Sequence, residues 1–371
     1  VRYRTLGKTG LKVSVIGFGA IKLPGVSEEE ACRALHRALD LGVNFVDTAR
    51  NYGDSEHKVG LVLKERRDAC YIATKTAARD ADGAMRDLET SLRELQADRL
   101  DLWQLHNVMD RGPWNQVTRP DGALAAAKQA RAEGVVDHIG ITIHRSLYVM
   151  REAVRSGEFE TLLLLYNPLD EEGVAANGIL DLAHEHGVGV FIMKALSGGA
   201  LMLPLNDAER EEKHRASGGQ WFDPIVRGSL RYVLSHPAVG MVIPGMRSVR
   251  EVEENARVGD MSPLTDAESD ELIRSIGRLK GTYKYKQECL RCGYCLSACP
   301  QNIQIPDVFY AAYAYRQYPR ETRDIGLALY HSLEVSPEEC IECEACMEEC
   351  PAGILIPQRL KEAVELFAQV G

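Results

Sequence analysis

The chain has 371 residues, 45% of them apolar, and carries a formal net charge of −10. That length suits one large domain with a small one rather than a single ordinary domain. The acidic balance argues against nucleic acid as a partner, and no uninterrupted apolar stretch reaches the length of a membrane span. Residues 3–12 read as a short hairpin turning at Lys8–Gly10. From there to residue 259, short apolar runs alternate with amphipathic helical patterns. The runs fall at 13–18, 43–47, 70–75, 101–105, 135–141, 162–166, 188–193 and 239–243. The helical stretches fall at 28–41, 55–67, 83–95, 122–133, 146–156, 174–186, 224–235 and 248–258. Eight βα units within about 250 residues have the length and period of a (β/α)8 barrel. A doubly wound sheet is the competitor, but no G-x-G-x-x-G follows the first strand. The nearest segment, Gly17-Phe18-Gly19-Ala20, runs on into a proline and a loop. The expected fold class is therefore α/β, a TIM barrel over 1–265. A linker helix and connector follow at 266–285, then a small, mainly helical domain at 286–371. Between 306 and 333, Tyr310, Tyr313, Tyr315, Tyr318 and Tyr330 sit among alanines and leucines as helical-hairpin material whose rings read as core packing.

Eight of the ten cysteines lie in the last quarter, in two runs of one pattern. These are Cys289-x2-Cys292-x2-Cys295-x3-Cys299-Pro300 and Cys340-x2-Cys343-x2-Cys346-x3-Cys350-Pro351. The spacing brings soft thiolates close enough to wrap a [4Fe–4S] cube, and its repetition is the arrangement of a two-cluster ferredoxin. In that arrangement the fourth cysteine of each run reaches across to the other cube. Cys289, Cys292, Cys295 and Cys350 are then expected on one, and Cys340, Cys343, Cys346 and Cys299 on the other. Zinc usually takes paired CxxC knuckles, and a disulfide framework would need an oxidising compartment; both remain the competing readings. No signal peptide is expected, and intact cubes imply a reducing, low-oxygen cytoplasm. Cys32 and Cys70 read as small buried hydrophobes.

Barrel sites collect at the C-terminal ends of strands. Those ends carry Asp47, Lys75 and His106, and Tyr52 follows Asp47 in the loop DTARNYG. A free phenol, with a pKa near 10, is a poor acid at neutral pH. A neighbouring ammonium favours the phenolate, and a carboxylate would hold that ammonium charged and in place. His106 could orient a carbonyl oxygen or share the proton. Taken singly, each residue also fits an ordinary structural role: a turn cap, a surface charge, a loop hydrogen bond.

DTARNYG, IATK and LWQLH resemble the catalytic segments of the aldo-keto reductases. The resemblance covers roughly residues 1–280, and the whole chain is similar to the branch of that family fused to a ferredoxin-like C-terminus. It implies a barrel that binds NAD(P)H across its mouth without a Rossmann domain, and hydride transfer to an aldehyde or ketone or, in reverse, from an alcohol. It also implies Tyr52 as general acid, supported by Lys75 and Asp47, with His106 orienting the substrate. For the cofactor it implies Asn167 at the nicotinamide amide, Tyr166 beside the ring, and Thr142 where the family has Ser-Asn. Ile143 replaces that asparagine. Leu196, Ser197 and Gly198 resemble the loop crossing the pyrophosphate, and Lys194 before it reads as a phosphate or substrate contact or as a strand-end charge. Residues 243–255 keep the length of the family's adenosine-binding segment, with Glu254 and Asn255 suited to the adenine edge. Gly245 and Met246 stand in place of a Lys-Ser pair. Glu251, where NADPH-dependent members often carry an arginine, disfavours a 2′-phosphate. Arg247 and Arg250 could compensate, so family habit favours NADP over NAD only slightly.

A nicotinamide gives two electrons as hydride, whereas each cube takes one, so a coupled circuit wants a splitter such as a flavin. No flavin signature is present, although a barrel mouth could hold FMN without a short motif. Three arrangements follow: a carbonyl reductase with structural or sensing clusters; clusters trading electrons between an external carrier and the barrel; or an electron-transfer module whose barrel binds a partner.

Overall fold

The computed structural model describes the chain apart from residues 109–110, 145, 170–173, 176, 203–206, 281–288, 290–292, 318–319, 351–353 and 369–371. Two short strands, β1 (Tyr3–Thr5) and β2 (Lys12–Ser14), pair antiparallel. They are followed by β3 (Phe18–Gly19), β4 (Phe45–Asp47), β5 (Tyr71–Thr76), β6 (Leu100–Leu105), β7 (Val136–Ile143), β8 (Thr161–Leu165), β9 (Gly189–Met193) and β10 (Val239–Val242). These eight form one parallel sheet in chain order, β3 to β10. The sheet closes on itself: Ile16 bridges Val242 and Gly19 bridges Gly245, both in parallel sense. The Gly17 amide donates to the Val242 carbonyl at 2.9 Å, and that of Gly19 to Pro244 at 3.1 Å. The result is a TIM barrel.

The helices between the strands follow the predicted periodicity closely. They are α1 (Glu28–Asp40), α2 (Ser55–Arg66), α3 (Ala81–Leu95), α4 (Arg111–Val117), α5 (Ala123–Ala132), α6 (Leu147–Ser156) and α7 (Ile179–Glu185), then α8 (Asp207–Ala216), α9 (Pro224–Ser235) and α10 (Val249–Val258). α1 shows why. Ser27 and Glu30 form a reciprocal capping box at its start, and Ala31, Ala34, Leu35, Ala38 and Leu39 bury one stripe at helical spacing. Inside the barrel the period is two. Phe45, Ala73, Leu102, Leu163, Phe191 and Met241 point inward and make one cluster with Leu6 and Val13, which plug the end formed by the hairpin.

Two expectations are corrected. The run 13–18 is not wholly a barrel strand: Val13 and Ser14 pair with β1, while Ile16 bridges β10 and Phe18–Gly19 pairs with β4. Its apolar residues serve two layers, Val13 in the plug and Phe18 in the wall. The helix expected over 174–186 begins at Ile179, because Gly178 adopts a left-handed φ of 66° that ends the preceding turn.

The chain divides into two compact units, Val1–Ala195 with Ser229–Thr265, and Leu196–Gly228 with Asp266–Gly371. The second contains α11 (Asp266–Lys280), α12 (Tyr294–Ala298), α13 (Ile305–Gln317), α14 (Arg320–His331), α15 (Ala345–Glu348) and α16 (Ile356–Ala368). α13 and α14 form the predicted hairpin and approach closely: a Cβ on Gly326 would meet the Tyr315 backbone nitrogen at 2.5 Å, so only glycine fits. Tyr330 stacks on Phe367 with centroids 3.9 Å apart, and Tyr315 packs on the same ring at 5.3 Å. Both rings are core packing. Tyr318 lies outside the described residues.

Candidate active site and cysteine centre

Period two carries Asp47, Lys75, Gln104 and His106 inward, continuing the rows of Phe45, Ala73 and Leu102 toward the C-terminal ends of β4, β5 and β6. The register then sets Lys75 beside Gln104 across the β5–β6 pair. Lys75 Nζ donates to Asp47 Oδ2 at 2.6 Å and to the Thr48 carbonyl at 2.6 Å. Gln104 Nε2 donates to the other Asp47 oxygen at 2.9 Å. The pair is almost wholly buried, so each charge depends on the other. Burial pushes the Asp47 carboxyl up, while the ammonium and the hydrogen bonds from Lys75 and Gln104 pull it back.

Above this pair stands Tyr52, in the loop between β4 and α2. Lys75 Nζ lies 4.9 Å from the centroid of its ring. The His106 ring meets Tyr52 edge-on at 5.8 Å. Asp47, Tyr52, Lys75 and His106 are thus brought together. His106 is buried, and desolvation, reinforced by the cations Lys75, Arg79 and Lys194, drives its pKa well below the usual histidine value. Its imidazole is neutral at pH 7. Arg79 also fixes the chain here, donating to the carbonyls of His106 at 2.7 Å and Asn107 at 3.0 Å.

The folded histidine refuses a proton that the unfolded chain accepts near pH 6.5, so its contribution to stability is complete above that pH and declines as pH falls below it. Urea stability measured from pH 7 to pH 5 should fall by up to about 1.4 kcal/mol per pH unit from this residue alone. His106→Gln should flatten the slope by that amount; an identical slope would mean His106 titrates normally.

The cofactor-class residues are less gathered. Thr142 is fully buried and its Oγ1 accepts the Asn107 amide at 2.7 Å. Asn167 is buried at the end of β8; its Oδ1 accepts the Leu169 amide at 2.9 Å and its amide nitrogen reaches the Lys194 carbonyl at 3.4 Å. The ring of Tyr166 packs on Tyr232 and His236 at 5.7 and 6.3 Å, and residue 166 has the opposite parity to the inward Leu163. Met193, in line with the inward Phe191, is the side chain β9 presents at the mouth. Arg247, just before α10, pairs with Glu251, and Arg250 pairs with Glu254, both carboxylates lying in the first two turns of that helix. Glu254 and Asn255 are buried. Leu196, Ser197 and Gly198 belong to the second unit, where Ser197, Gly198 and Gly199 all have positive φ and the Gly199 amide closes a turn onto the Leu196 carbonyl at 2.9 Å.

Gln104, Arg79 and Met193 were not singled out from the sequence. Gln104 and Met193 carried a usable signal, since both share the inward parity of residues already chosen.

In the cysteine-rich segment, a left-handed residue sits between the second and third cysteine of each run, Gly293 at φ 81° and Glu344 at φ 61°, and each starts a short helix that carries the third. A pocket is lined by Cys299, Cys340, Cys343 and Cys346, walled by Ile303, Ile305 and Leu360. Burial, with Cys299 and the other thiols nearby, pushes the Cys346 thiol up to about 11. Among the described residues no three His, Cys, Asp or Glu side chains are arranged to hold a metal ion. The four thiols share the lining of one pocket. Cys289, Cys295 and Cys350 pack on the same apolar core; Cys292 lies outside the described residues.

A closed barrel with a buried lysine–carboxylate pair under a tyrosine at its C-terminal mouth, joined to a cysteine-rich domain, defines a redox enzyme of the barrel class. Residues 15–276 match the aldo/keto reductase family model and residues 288–354 that of the 4Fe-4S dicluster domain. The chain belongs to the aldo/keto reductase family and is an oxidoreductase carrying a fused 4Fe-4S dicluster domain. It is 30% identical to the L-galactose dehydrogenase of Arabidopsis thaliana over 72% of this chain and 90% of that protein. It is 27% identical to an oxidoreductase of Bacillus subtilis over 72% of this chain and 94% of that one. The holo form of an aldo-keto reductase from Bacillus halodurans superposes with a TM-score of 0.62 at 29% identity, covering 74% of this chain and 95% of that structure. No helix among the described residues is long and apolar enough to cross a membrane.

Proposed function

We propose that this chain reduces an aldehyde or ketone with NAD(P)H, or oxidises the corresponding alcohol, with Tyr52 as the general acid. The observation that carries this reading is the buried Lys75 ammonium, held by Asp47 and lying 4.9 Å from the Tyr52 ring. The nicotinamide would supply the hydride. Tyr52 would protonate the carbonyl oxygen, aided by the Lys75 charge, and Asp47 with Gln104 would keep that ammonium in place. His106 is the rival proton donor, but burial, reinforced by the cations Lys75, Arg79 and Lys194, disfavours the imidazolium form that would act as the acid. Its remaining role is to orient the oxygen by hydrogen bonding.

Asn167 would hold the nicotinamide amide, where its side chain already bonds the loops after β8 and β9. Arg247, Arg250, Glu254 and Asn255 would take the adenosine end, Leu196–Gly198 the pyrophosphate, and Thr142 would brace the strand end through Asn107. Both arginines already have carboxylate partners on α10, so a 2′-phosphate has to compete with them.

We assign one cube to Cys340, Cys343, Cys346 and Cys299, which share the pocket, and the other to Cys289, Cys292, Cys295 and Cys350. Two cubes give the chain a one-electron store served by an electron-carrier protein in a reducing cytoplasm. The test is anaerobic. Protein reconstituted to about eight irons should oxidise NADPH in proportion to an added carbonyl from a panel of aldehydes and ketones. Absence of turnover across the panel with both NADPH and NADH would overturn the reductase reading. In the same samples, a reduced-cluster EPR signal raised by NADPH alone would join the two redox systems without a carrier.

A further inference from the structure

Glu56 stands at the first turn of α2 with only 1% of its surface exposed, and its carboxylate is shared among three elements. One oxygen accepts the hydroxyls of Thr74 on β5 at 2.5 Å and Ser91 on α3 at 2.7 Å. The other is paired with the guanidinium of Arg50. The two ends of this network abut the proposed catalytic groups. Thr74 immediately precedes Lys75. Arg50 lies two residues before Tyr52, and its amide donates to the Lys75 carbonyl at 3.1 Å. The far side of the same loop is tied down too, by the Ser55 amide on the Tyr52 carbonyl at 2.9 Å and the Ser55 hydroxyl beside that of Thr48 at 2.8 Å.

A buried carboxylate is costly to keep, and an apolar side chain would fill the same space without that cost. What the carboxylate supplies instead is direction, because it grips the strand under Lys75 and the loop bearing Tyr52 at once. We propose that Glu56, acting through Arg50, is a positioning residue that sets the Tyr52 phenol against the Lys75 ammonium. The proposal rests on the reading of Tyr52 as general acid. Neither Glu56 nor Arg50 is assigned any contact with substrate; a displacement of about 1 Å in the loop is enough to cost as much as 100-fold in rate.

The experiment compares Glu56→Gln, Arg50→Met and the double variant with wild type and Tyr52→Phe, measuring kcat and KM across pH. The Arg50 side chain is 24% exposed, and in Arg50→Met the hydroxyls of Thr74 and Ser91 still donate to the Glu56 carboxylate, so that variant decides the matter should Glu56→Gln not fold. Each single variant is expected to lower kcat about tenfold with KM for NADPH within about twofold, and the double variant to lose no more than the worse single, because the pair works as one unit. The high-pH limb of kcat, where Tyr52 loses its proton, should move upward as Lys75 and Tyr52 separate, and Arg50→Lys should restore part of the rate. A purely structural role would lower the melting temperature and leave that limb in place. Wild-type kcat and an unmoved limb in folded Arg50→Met would overturn the proposal, as would single effects that multiply. If wild type is active and Tyr52→Phe dead while these variants match wild type, the positioning role alone fails. If wild type reduces no carbonyl, the general-acid reading fails with it.

Discussion

Tyr52→Phe should abolish carbonyl reduction while leaving nicotinamide binding intact. The phenylalanine keeps the ring that meets His106 edge-on at 5.8 Å and lies over Lys75, so packing is unchanged and only the transferable proton is lost. General acid catalysis by a positioned side chain contributes about 100- to 10,000-fold, and kcat should fall by that factor. NADPH affinity, read by quenching of protein fluorescence, should stay within about twofold, since the hydroxyl belongs to the chemical step and not to cofactor binding. A variant with full activity would transfer the acid role to another group. His106 could take it only by binding a proton against Lys75, Arg79 and Lys194, and a rate rising toward acid pH would report that.

Lys75→Met should be the most destabilising single change at the mouth. It removes the ammonium from a carboxylate that is itself only 2% exposed and leaves Asp47 with Gln104 as its remaining side-chain donor. Breaking a buried pair from one side costs about 3–5 kcal/mol, whereas replacing both partners is far milder. Lys75→Met combined with Asp47→Asn should therefore recover most of the lost stability in urea unfolding, yet neither variant should turn over. If the single variant were as stable as wild type, the pair would not be carrying opposite charges.

Much of the barrel was legible from the alternation of apolar runs and helical stripes, because burial on one face imposes those periods directly. The errors fell where a residue serves two layers or where backbone geometry overrides pattern. Val13 is as apolar as Phe18, and nothing in VSVIGF says that the chain leaves the plug for the wall between them. Gly178 looks like any glycine until its left-handed φ sets the helix start at Ile179, later than the apolar pattern suggests. Asp47, Tyr52, Lys75 and His106 could be named because strand ends converge in a barrel, which turns separation in sequence into proximity. Glu56 was invisible: a glutamate in an amphipathic helix reads as surface, and its partners at 50, 74 and 91 meet it only after folding.

The partition of contacts bears on how such a chain can be shortened. Residues 196–228 lie between β9 and β10 in sequence yet cluster with the segment beginning at Asp266, where a Cβ on Gly228 would press on Leu272 at 2.8 Å. A construction ending at residue 265 keeps every strand of the barrel but strips that excursion of the neighbours it packs with. Excising the iron-binding portion is thus not a clean cut at one junction, and a grafted or transplanted tail would have to bring a matching 196–228 along with it.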